Sequence, residues 1–202
     1  MLPIINQPQL LKDLELFQEK LGQKYNWLRL EPVARCLHHL DDPTAPERFQ
    51  ECATIYYLSP TSAEDRIHMG NYYRLAGDHE QAHRWFHESY TMYHHSLTDN
   101  PRNTIDLARL VKCCYLLEVY DEVLDHAAFM RSIPRKHTPF SGWVEHLARS
   151  HVTNDLTIAA QVTDVLAKYL QSHPDERVSD TGAFTQWDLY EIAYNLAHPT
   201  QV

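Results

Sequence analysis

Apolar residues recur along this chain at intervals of three and four almost from end to end. In PQLLKDLELFQEKLG, the residues Leu10, Leu11, Leu14, Phe17 and Leu21 share one helical stripe, and Gly22 follows as a stop. EPVARCLHHLDD opens with a proline at an early helical position, and APERFQECATIYYLSP runs to the proline at position 60. TSAEDRIHMGNYYRLAG begins with a cap signature, Ser62 and Asp65, and ends at Gly77. DHEQAHRWFHESYTMYHH places an acidic residue where a helix macrodipole favours one. The same period continues through TIDLARLVKCCYLLEV, YDEVLDHAAFMRSIP, SGWVEHLARSH, NDLTIAAQVTDVLAKYLQSHP and TGAFTQWDLYEIAYNLA. Sustained strand alternation bounded by hairpin turns is missing. The pattern predicts an all-α chain of about ten helices, joined by turns short enough to make neighbours antiparallel.

Within this pattern one helix pair stands out, at residues 63–96. Its first helix carries Met69 and Gly70, with Tyr73 three residues on. Gly77 closes that helix, and the second helix carries Ala82 and Phe86. Gly70 and Ala82 are small where two helices must approach closely, Tyr73 and Phe86 fill the space beside them, and Gly77 permits a tight turn. This stretch resembles a tetratricopeptide repeat. It departs from that pattern at Arg66, Ser89 and His94, where tryptophan, alanine and proline are usual. Two degenerate copies start at Thr104 and Phe140, spaced more widely than the family's roughly 34 residues. The extra residues are placed in SLTDNPR and RKHTP.

The resemblance implies a right-handed α–α superhelix forming a single domain, 1–202. Within it, 1–62 supplies N-terminal capping helices, 63–174 three helix pairs, and 175–202 a C-terminal capping helix. It also implies a concave groove lined by the first helix of each pair. Carried over residue by residue, that groove presents His68, Asn71, Arg74 and Leu75 from one pair, and Arg109, Lys112, Tyr115 and Leu116 from the next. Asn71, Arg74, Arg109 and Lys112 would converge as a cationic patch suited to the acidic group of a peptide or helix, or would pair with Glu64 and Glu145. Asn71 matches the asparagine of the family's carboxylate clamp, whereas Ile67 stands where that clamp has lysine. Ile67, Leu75, Ile105, Tyr115 and Leu116 would add apolar contact.

Charge narrows the partners. Acidic residues outnumber basic ones 27 to 18, a formal net charge of −9. Nucleic acid is therefore not expected as a ligand, because binding it needs a basic footprint. MLPIINQPQLLKD has no basic run followed by an apolar core, and no stretch approaches the roughly 18 apolar residues of a membrane span. The four cysteines, Cys36, Cys52, Cys113 and Cys114, form no C-x-x-C and are expected as reduced packing residues. A cytoplasmic setting is expected.

Catalytic chemistry is thin. His79, His83 and His87 form a stripe four residues apart, but its ends lie about 12 Å apart along the helix axis. No single ion reaches all three, so the stripe is expected as a solvated face. Ser141 with His146 and His151 is the coincidence that 14 histidines produce. Five glycines supply no phosphate-cradling loop. The expectation is a non-enzymatic interaction module without metal or cofactor, binding a protein or peptide. The alternatives are a chaperone for a secreted protein and an immunity protein covering a toxin. A histidine-dependent metalloenzyme is more remote; it would need ligands from at least two helices, and no spacing in the sequence names such a set.

Overall fold

A computed structural model describes residues 2–56, 61–134, 139–173 and 182–199. The end of the third helix at Pro60, the RKHT stretch at 135–138 and the 174/175 boundary fall outside these residues.

Ten α-helices are formed among the described residues: α1 (Gln7–Gln23), α2 (Trp27–His39), α3 (Ala45–Tyr56), α4 (Ala63–Leu75), α5 (His79–Asp99), α6 (Thr104–Leu116), α7 (Tyr120–Ser132), α8 (Pro139–Thr153), α9 (Leu156–Ser172) and α10 (Gln186–Ala197). Each packs on the next, α6 also meets α8, and α10 meets both α9 and α8. The result is an α-solenoid.

The local signals act as their chemistry dictates. Ser62 and Asp65 form a reciprocal capping box at α4. Asp78 caps α5 by accepting from the Gln81 backbone N–H. Gly77 adopts φ +83° between them, where a β-carbon would be strained. A β-carbon on Gly70 would lie 2.3 Å from Phe86 Cε1, so glycine lets α4 and α5 close on each other.

Two elements differ from expectation. α2 begins at Trp27, capped by Asn26, and contains Pro32 instead of starting near it. Burial of Leu30, Val33, Ala34 and Leu37 holds the helix across the missing proline donor. α5 continues to Asp99, so Ser96–Asp99 of the expected loop insertion extends the helix.

Helix α4 lies between two cores. Ile67 enters the larger one with Phe86, Leu110, Val111 and Leu147. Met69, Tyr72 and Leu75 enter the other with Leu30, Phe49, Cys52 and Trp85. All four cysteines are free and buried. Burial pushes the Cys36 and Cys113 thiols up to about 12, which suits packing and not nucleophilic chemistry.

Candidate functional site

The last helix, α10, packs on α9 and α8, and its side chains also reach α2 and α4. Residues Gly182–Phe184 run into α10, which starts with a capping box between Thr185 and Asp188. That cap turns the Asp188 carboxylate back toward α2 and α4. Arg35 Nη1 donates to both Asp188 oxygens at 3.3 Å, and Arg74 Nη2 donates to Oδ1 at 3.2 Å. Asn71 Nδ2 reaches Oδ2 at 3.5 Å, while Arg74 Nε donates to Asn71 Oδ1 at 2.9 Å.

The network extends inward. Arg35 Nε donates to Glu31 at 2.9 Å, and its Nη2 donates to the Gly182 carbonyl at 3.0 Å. The Tyr72 hydroxyl donates to the other Glu31 oxygen at 2.7 Å. Two carboxylates and two guanidiniums are thus brought together, and Glu31, Arg35 and Asp188 are buried. Burial alone would raise the Asp188 carboxyl; Arg35, Arg74 and the Thr185 hydrogen bonds win, holding it far below the usual carboxylate range. Arg35, by contrast, is raised: burial opposes its charge, but Asp188 and Glu31 overcome it.

The expected groove residues divide into separate environments. Asn71 and Arg74 lie together, around Asp188. Arg109 and Lys112 gather around Glu64 on α4, at 3.0 and 3.9 Å. This is the pairing weighed against a free cationic patch. Lys112 also sits 5.2 Å above the Phe140 ring. His68 packs beside Tyr56 and Tyr72. Leu75 is buried in the core shared with Leu30, away from any open groove. Ile67 is buried too, whereas Ile105 is 62% exposed. Glu145 pairs with Arg131 and Arg149.

Tyr115 and Leu116 line a cleft of about 560 Å³ with Arg74, His79, His83 and Ile192. The Tyr115 hydroxyl is buried there without a hydrogen-bond partner among the described residues. His151 stacks on Tyr120 at its edge, with ring centroids 4.2 Å apart. The histidine stripe is exposed as expected, and His79 and His83 form part of this cleft wall.

A second cleft, of about 430 Å³, opens where the end of α2 meets α10. His38, His39 and Glu191 meet at its wall, with donor atoms all within 4.8 Å of one another. This is a two-helix ligand set of the kind the sequence did not name. The His38–His39 dipeptide and the T-x-x-D cap at 185–188 are visible in the sequence, but nothing local joins either to its partner across the chain. A second group, Cys114, Glu122 and His126, is less suited to an ion: burial holds the Cys114 thiol protonated, and Glu122 accepts the Tyr90 hydroxyl.

No helix among the described residues is long and apolar enough to cross a membrane. Compared with known proteins, the chain matches no family model and no curated protein.

Proposed function

We propose that this protein is a non-catalytic interaction module of tetratricopeptide-repeat type, which takes a helix or peptide bearing an acidic group on the face made by its first helices. One observation carries the reading. That face already holds a helix through a carboxylate, the chain's own α10 through Asp188 on Arg35, Asn71 and Arg74. Arg35 and Asn71 are buried beneath Asp188, so the acidic group of a partner would meet this network at its part-exposed edge, Arg74. Arg109 extends the basic edge onto α6, with its side chain 41% exposed.

Site-specific photo-crosslinking in native cell extract tests the reading. A crosslinker at position 109 faces the proposed groove, and one at position 95 faces outward from α5. Capture of the same partner through 109 and not through 95 is expected, with loss of capture when Arg74→Glu is added. Capture through 95 alone, or through neither, overturns the groove as the binding surface.

A further inference from the structure

The junction of α2 with α10 has the chemistry of a cation site. His38 and His39 stand in the last turn of α2, where unsatisfied carbonyls and the macrodipole favour positive charge. Glu191 projects from α10, and His38 Nε2 lies 2.9 and 3.0 Å from its two oxygens. The remaining wall of the cleft includes Asp41, Asp42 and Tyr194, and among the described residues that line it none is lysine or arginine. The nearest buried guanidinium, Arg35, is compensated by Glu31 and Asp188.

We infer that His38, His39 and Glu191 form a binding site for one divalent transition-metal ion of the zinc class, with a further coordination position open to the cleft. Two imidazoles and a carboxylate select this class over magnesium or calcium, which want oxygen ligands throughout. An ion about 2.0–2.2 Å from each donor brings the donors to roughly 3.5 Å from one another. The His38–Glu191 pair, hydrogen-bonded at 2.9 and 3.0 Å, has to open by about half an ångström to admit the ion. The group as a whole, spanning up to 4.8 Å, needs a shift on the order of an ångström that a ring rotation supplies. His39 is buried in this wall, its ring edge-on to Trp187. The histidine stripe on α5 lacks this convergence, because its rings lie along one exposed face.

The consequence is mechanical. An ion there joins α2 to α10 and reinforces the contact that Asp188 makes three residues earlier in α10.

The test uses the full chain, purified without a histidine tag and stripped with chelator. Calorimetric titration with Zn²⁺ and the absorption spectrum with Co²⁺ are compared for wild type, Glu191→Gln, His38→Gln and the stripe variant His83→Gln. We expect one tight site in wild type and His83→Gln, weakened at least about 10- to 100-fold in the two ligand variants. Zn²⁺ should raise the melting temperature of wild type and not of Glu191→Gln. Circular dichroism controls for folding, and His38→Gln, at a part-exposed ring, keeps the test valid if Glu191→Gln is destabilised. Undiminished binding in both ligand variants, loss only in His83→Gln, or no stoichiometric site in wild type overturns the assignment.

Discussion

The Asp188 carboxylate on α10 lies 3.3 Å from the Arg35 guanidinium on α2, across 153 residues of chain. Both groups are buried, and they form an ion pair. The contact ties the last helix to the second and determines what the face between them can hold.

Breaking that pair should be costly. Asp188→Ala leaves Arg35 buried with only Glu31 opposite it and removes the α10 cap. A loss of about 3–5 kcal/mol is expected, the range for breaking a buried pair by removing one partner. Asp188→Asn, which keeps the shape and part of the cap, should lose less. Urea unfolding of the three proteins measures this. A loss under about 1 kcal/mol for Asp188→Ala would show that the network does not hold α10 in place.

Gly70 should tolerate no larger residue. A β-carbon there meets Phe86 ring carbons at 2.3 and 2.4 Å, and the ring is itself buried. Gly70→Leu should overpack the α4–α5 junction and cost about 1–3 kcal/mol. Phe86→Leu introduced together with Gly70→Ala should recover part of the loss suffered by Gly70→Ala alone. Strict additivity in that double-mutant cycle would contradict the contact.

The stripe should be dispensable for folding. His79, His83 and His87 are exposed, and replacing all three with glutamine should change stability by no more than about 0.5 kcal/mol. Melting curves with and without chelator check this. A stoichiometric metal content lost on the triple replacement would show that the stripe is a site after all.

Acid should destabilise the protein in two stages. Burial lowers the pKa of His68 and His151, so the unfolded chain takes up protons there first. Their contribution is complete above about pH 6.5 and declines as the pH falls below it. Asp188 is depressed as a carboxylate, so its contribution is present above about pH 4 and lost below. Urea midpoints between pH 7.5 and 3 should show both limbs, and Asp188→Asn should flatten the lower one. A midpoint unchanged from pH 7.5 to 5 would remove the histidine contribution.

The sequence by itself determined the helices, the caps and the α4–α5 pair. These rest on interactions between residues three or four apart: Ser62 with Asp65, Asp78 with Gln81, and the stripes of apolar side chains. Gly70 and Phe86, although on two helices, are joined by a turn of a few residues, so their spacing carries the contact. It also singled out Asn71, Arg74, Arg109 and Lys112, as one cationic patch or as partners of Glu64 and Glu145. Only the tertiary structure divided them, with Asn71 and Arg74 at Asp188 and Arg109 and Lys112 at Glu64. Asp188 reaches Arg35 and Arg74 because α10 packs on α9 and α8 with its first turn beside α2 and α4. Glu191 reaches His38 for the same reason. Those contacts depend on how successive helix pairs rotate and on where α10 comes to lie, and periodicity within any one helix encodes neither.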